Sequence, residues 1–173
     1  MTTVVAAIAV AVPSAAQADP GDGWFSYQNT NSLLFLAVNG GSDANGAKII
    51  QYHEEVQEPT DQPIPDQDWR IVPREGQWVT LFNAGTSPWK VLGVSGGSKA
   101  NGAKIIQWEY EEDNRDQQWD VVSAGGTRVY LLNRNSNKCL AIPAGSHRVG
   151  EQAIQWTCNG GTEQIWDQFD DDY

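Results

Sequence analysis

Apolar and polar positions alternate with a period of two in short runs, and the same order of runs occurs three times. Phe25-Ser26-Tyr27, Val79-Thr80-Leu81-Phe82 and Val129-Tyr130-Leu131-Leu132 each open a unit. A polar turn led by an asparagine follows, at residues 29–32, 83–87 and 133–137. A second apolar run comes next, over 34–38, 90–94 and 139–142. Each unit then has a glycine-rich turn, an Ile-Gln-aromatic segment, an acidic loop and a last run beginning at Gln-x-Trp. Alternation of this kind, rich in aromatic and β-branched residues and bounded by Gly and Asn, predicts strands. The pattern gives about four short strands per unit and about twelve in all, with no sustained helical period.

The repetition extends to the letters. Residues 40–52 return as 96–108 with only Asp43/Lys99 and Tyr52/Trp108 exchanged, and a looser copy over 150–156 ends at Trp156. Gln67-Asp68-Trp69, Gln117-Gln118-Trp119 and Gln164-Ile165-Trp166 close the units. A period of about fifty residues marks a repeat architecture whose units cannot bury their apolar faces alone. The repeats run over about 24–72, 78–122 and 128–169. The first carries an insertion between Tyr52 and Trp69, rich in acids and proline (Glu54, Glu55, Glu58, Pro59, Asp61, Pro63, Pro65). It reads as a restricted loop held in water by its charges.

Composition narrows the function. The chain has 173 residues and a net charge of −11. That balance argues against nucleic acid, which requires clustered Lys and Arg, and against a membrane surface; it fits a monomer in water. The blander reading of the acids is that they solvate loops. Residues 4–12 are apolar and precede Pro13, Ser14 and Ala16-Gln17-Ala18. This predicts a secretory signal over 1–18, although no Lys or Arg stands at its start, and a mature domain over 19–173. Cys139 and Cys158 are the only cysteines. In an exported protein they pair, closing a loop that contributes roughly 3 kcal/mol; two buried thiols are the alternative.

Three units of four strands, each with a Gln-x-Trp near its end, resemble the ricin-B-type lectin family in a secreted, bacterial-like single-domain form. The resemblance runs from Trp24 to Phe169. It implies an all-β fold, the β-trefoil: a six-stranded barrel capped by three hairpins, with Trp69, Trp119 and Trp166 in the core. It also implies a shallow sugar pocket on each unit, where an aromatic stacks on the apolar face of the sugar and polar groups take the hydroxyls.

The positions that match the family's pocket are of two kinds. The aromatic is present as Tyr52, Trp108 and Trp156. The family's Asp is replaced by Ala37, Gly93 and Ala141, and its Gln by Ile50, Ile106 and Ile154, with Gln51, Gln107 and Gln155 one residue later. The position before each Gln-x-Trp is acidic: Asp66, Asp116 and Glu163. Asn159 matches a polar family position in the third unit. The same losses in all three copies favour an altered pocket, an aromatic plus a carboxylate, over a lost one.

Other chemistry is weaker. Gly93-Val94-Ser95-Gly96-Gly97 matches a hydrolase nucleophile pattern, but no helix follows it. His53 and His147 lack metal-ligand spacing, and the acids around Glu109–Asp116 fit no calcium loop. The expected protein is therefore a secreted, monomeric carbohydrate-binding module with up to three weak sites, no catalytic role, and no metal or cofactor. The alternative is a trefoil that has lost sugars and serves as a protein-interaction or inhibitor domain, with residues 54–66 as its contact element.

Overall fold

The computed structural model describes residues 23–57, 62–63, 65–86 and 89–170. The expected signal segment and the last three residues lie outside them. The described residues form fourteen strands: β1 (Trp24–Asn29), β2 (Phe35–Val38), β3 (Ile49–Tyr52), β4 (Val56–Gln57), β5 (Gln62–Pro63), β6 (Trp69–Pro73), β7 (Trp78–Asn83), β8 (Lys90–Val94), β9 (Ile105–Glu109), β10 (Trp119–Gly125), β11 (Arg128–Asn133), β12 (Cys139–Ala141), β13 (Ile154–Trp156) and β14 (Trp166–Asp170). Among the described residues the only helical elements are 3-10 turns of three residues.

Six strands close a ring. β1 pairs with β6, β6 with β7, β7 with β10, β10 with β11, β11 with β14, and β14 with β1, all antiparallel. Closure leaves the barrel without a free edge. The remaining long strands form three hairpins that cap it, β2–β3, β8–β9 and β12–β13. This is a β-trefoil. One correction concerns the insertion: it is not loop throughout, because β4 and β5 pair as a short separate ribbon, Val56 opposite Pro63. A two-stranded ribbon has only edges, so a proline that donates no hydrogen bond is tolerated there.

The three Gln-x-Trp motifs lock each hairpin to the barrel. Trp69, Trp119 and Trp166 are fully buried, and each indole N–H donates to a hairpin carbonyl: Leu36 at 3.1 Å, Leu92 at 3.0 Å and Leu140 at 3.3 Å. The amphipathic indole thus fills the axis and still satisfies its one donor. Around the rings pack Leu36, Ile49, Ile71, Leu81, Leu92, Ile105, Leu131 and Leu140, shared among all three units.

A second set of glutamines binds the units to one another. Gln51, Gln107 and Gln155 are fully buried. The Gln51 amide donates to the carbonyls of Ser146 and Arg148, both at 2.9 Å. That of Gln107 donates to Ser42 and Ala44, and that of Gln155 to Ser98 at 2.7 Å and Ala100 at 3.0 Å. Each reaches into the glycine-rich turn of the preceding unit, so the three pairs of bonds run in a circle. Because side chains alternate along a strand, these glutamines face away from Ile50, Tyr52 and their equivalents. The Cys139–Cys158 disulfide joins β12 to the loop after β13, with Cα atoms 5.2 Å apart.

Candidate functional site

Each capping hairpin presents an apolar shelf on its outer face. The strand register sets Ala37 opposite Ile50, Gly93 opposite Ile106 and Ala141 opposite Ile154. Two residues further along the same face stand Tyr52, Trp108 and Trp156. Trp108 and Trp156 are 40% and 43% exposed. The loop leaving each aromatic is fixed by the glutamine of Gln-x-Trp, which uses both ends of its amide. Gln67 donates to the His53 carbonyl at 2.7 Å and accepts from the Glu55 N–H at 3.2 Å. Gln117 does the same with Glu109 at 2.8 Å and Glu111 at 2.8 Å, and Gln164 with Thr157 at 3.0 Å and Asn159 at 2.9 Å. These bonds establish Glu55, Glu111 and Asn159 as equivalent positions.

In the first unit the shelf is the floor of a cleft of about 540 Å³ lined by Ala37, Ile50, Tyr52, Glu55, Asp66 and Gly85, among others. Asp66 is only 8% exposed. Its Oδ1 is buried and has no hydrogen-bond partner among the described residues. Burial is the main reason its carboxyl is pushed up to about 6, and the negative charge of Glu55 adds to the effect. The second unit repeats the cleft, about 500 Å³, with Gly93, Ile106, Trp108, Glu111, Asn114 and Asp116. Burial raises Asp116 as well; a hydrogen bond from the Asn114 side chain opposes it, and Glu111 reinforces it.

In the second unit the carboxylate reaches across to the strand. A Cβ on Gly93 would lie 3.4 Å from Asp116 Oδ1, and one on Gly97 would lie 3.1 Å from Oδ2. The Asp116 side chain therefore crosses the cleft to the strand position left bare by Gly93. Gly97, at φ +59°, both takes the left-handed turn and leaves room for the carboxylate. In the motif Gly93–Gly97, Ser95 begins a 3-10 turn at the end of β8.

The third unit differs. Trp156 stands on the shelf, but Asn159 takes the place of Glu55 and Glu111. The Glu163 carboxylate folds back over Gly161, where a Cβ would collide with it. Asn159 Oδ1 accepts from the Gly161 N–H at 2.7 Å. The structure thus places Tyr52 with Asp66, and Trp108 with Asp116, each pair in one cleft. Trp156, Asn159 and Glu163 lie on one hairpin and its following turn, with Glu163 held against its own loop.

Glu55 and Glu111 are cleft residues that the repeat pattern did not single out. The available signal was their constant spacing from the Tyr52 and Trp108 aromatics, obscured by the many neighbouring acids.

Asp66 gives the site a pH signature. The folded protein holds the Asp66 proton more tightly than the unfolded chain does. Its contribution to stability is therefore present below the unfolded carboxylate range and is lost as pH rises through about 6. Asp66→Asn is expected to remove that dependence and to raise stability at neutral pH by about 1–2 kcal/mol. A tenfold change in proton affinity corresponds to about 1.4 kcal/mol, and screening by solvent at the cleft mouth reduces the sum. Urea unfolding from pH 4 to 8 measures it. A variant that tracks the parent at every pH would mean that the buried carboxylate carries no strain.

The fold is shared with solved structures. The designed threefold-symmetric protein ThreeFoil is 30% identical, with a TM-score of 0.77, over 86% of this chain and 99% of that one. An exo-β-1,3-galactanase from Clostridium thermocellum is 26% identical, with a TM-score of 0.75, over 86% of this chain but 30% of the enzyme. The C-terminal half of an earthworm R-type lectin, solved with GalNAc, is 17% identical, with a TM-score of 0.64, over 86% and 98% of the two chains. No curated protein matches the chain. The model of the ricin-type β-trefoil lectin domain-like family matches residues 16–108 and 115–173. With its closed barrel, three Gln-x-Trp locks and three hairpin shelves, the chain belongs to that family.

Proposed function

We propose that this protein is a secreted, non-catalytic carbohydrate-binding module that holds a polysaccharide or glycan through weak sites acting together. The observation that carries the reading is the repeated pairing of an accessible aromatic with a recessed carboxylate over an apolar floor: Tyr52 with Asp66, and Trp108 with Asp116. A pyranose ring offers an apolar C–H face and a rim of hydroxyls, and this arrangement supplies a partner for each. The earthworm lectin's complex with GalNAc and the likeness to part of a galactanase support a sugar as the ligand class. The disulfide supports an oxidising compartment. Trp156, Asn159 and Glu163 form the third, differently built site.

Weak sites on one rigid body gain by avidity on a polymer, where the second contact is intramolecular. Tyr52→Ala alone is expected to weaken retention on a polysaccharide resin several-fold. The triple change Tyr52→Ala, Trp108→Ala and Trp156→Ala is expected to abolish it with little change in melting temperature, since none of the three lies in the barrel core. A panel of galactan, xylan, chitin and cellulose resins, eluted with soluble sugar, provides the assay. A folded triple variant that is still retained on the same resin would rule these aromatics out.

A further inference from the structure

We propose that the clefts of the first and second units select glycans bearing a free amine, such as the glucosamine units of deacetylated chitin, and that the third unit does not. The inference rests on the carbohydrate-binding reading above and names its ligand class. Among the described residues, each of the two clefts is lined by two acids, Glu55 with Asp66 and Glu111 with Asp116, and by no Lys, Arg or His. One acceptor, Asp66 Oδ1, is buried without a partner in the cleft wall. In the second cleft two amide donors are engaged: Asn114 Nδ2 donates to Glu111 Oε2 at 3.0 Å, and Gln117 Nε2 to the Glu109 carbonyl at 2.8 Å. Such a wall offers two carboxylates and no cation to meet them.

An ammonium is the complementary group. It carries three donors and no acceptor, whereas a hydroxyl needs both. It also relieves the repulsion between the paired carboxylates and gains from the electron-rich face of Tyr52 or Trp108. Burial and that repulsion, which hold Asp66 and Asp116 above the ordinary carboxylate range, are the costs a bound cation would offset. The third unit is an internal contrast. Asn159 replaces the second acid, and Glu163 is turned back on Gly161.

The test is calorimetric titration of the intact protein with short glucosamine oligomers and their N-acetylated counterparts, with xylo-oligomers as a neutral reference. Glucosamine oligomers are expected to bind at least about tenfold more tightly, as charge-assisted hydrogen bonds imply. Glu55→Gln with Glu111→Gln is expected to bring that preference below about threefold. Both substitutions keep the backbone N–H bonds to Gln67 and Gln117. Glu112→Gln with Asp113→Asn changes net charge equally outside the clefts and is expected to leave the preference intact. Equal affinity for acetylated and free-amine oligomers, or a preference that survives the cleft variants, overturns the inference while the carbohydrate reading stands. Failure to bind any of the three sugars overturns the inference, and the carbohydrate reading falls with it only if the galactan and cellulose resins also retain nothing.

Discussion

Trp119→Ala is expected to cost about 3–5 kcal/mol, enough to unfold a domain of ordinary stability. Trp119 has no exposed surface and lies in the shared apolar centre. Truncation leaves a void that residues from all three units line, so no single hairpin can collapse into it. It also removes the N–H that satisfies the Leu92 carbonyl, the bond that holds β8 to β10. Trp119→Phe retains most of the volume and loses the bond, and is expected to fall between the parent and the alanine variant. Urea unfolding followed by far-ultraviolet circular dichroism measures both. An unchanged midpoint for Trp119→Ala would contradict its place in the core.

Gln155→Leu is expected to cost about 3 kcal/mol although it exchanges a polar residue for an apolar one of similar size. The Gln155 amide satisfies the carbonyls of Ser98 and Ala100, and its oxygen accepts from the Ser136 hydroxyl at 2.7 Å. Leucine removes these three part-buried bonds, at about 1 kcal/mol each, while the Ala100 carbonyl keeps the Ala103 N–H and the Ser136 hydroxyl keeps Asn133 Oδ1. Gln107→Leu is expected to cost about 1 kcal/mol less. Its Oε1 has no partner among the described residues, because Thr86, at the position of Ser136, is bound to the Asn83 carbonyl and the Lys90 N–H. The difference between the two variants, read in parallel denaturation curves, tests the latch more sharply than either alone. Equal losses would show that the serine contact adds nothing.

The three-unit fold was legible because it is written locally. Period-two runs, Asn-led turns and the Gln-x-Trp spacing each lie within a few residues of one another, and the near-verbatim repeat fixes their order. The aromatic and acidic cleft positions were legible by the same register. Other features were not. The carbonyls that accept from the Gln51 amide lie almost a hundred residues away in the third unit, so no local pattern reveals a latch. The reach of the Asp116 carboxylate to the bare strand position is seen only when Asp116 is placed against Gly93 and Gly97. Glu55 and Glu111 looked like solvated acids among others until the amides of Gln67 and Gln117 were seen to hold their backbone in the cleft wall. The β4–β5 ribbon lay hidden in a stretch whose prolines and charges describe a loop.

The closure of the barrel by β14 against β1 and β11 also sets a schedule for biosynthesis. The first strand is made early and its ring partner last, with the register Phe25 opposite Asp170 joining the two ends of the domain. Until β14 emerges, β1 and β11 each present an open strand edge, and the central tryptophans lack Trp166. The β14-facing edge of β1 must therefore stay open, or be shielded, for most of the synthesis of the domain, and truncation within β14 leaves two sticky edges in place of a closed surface.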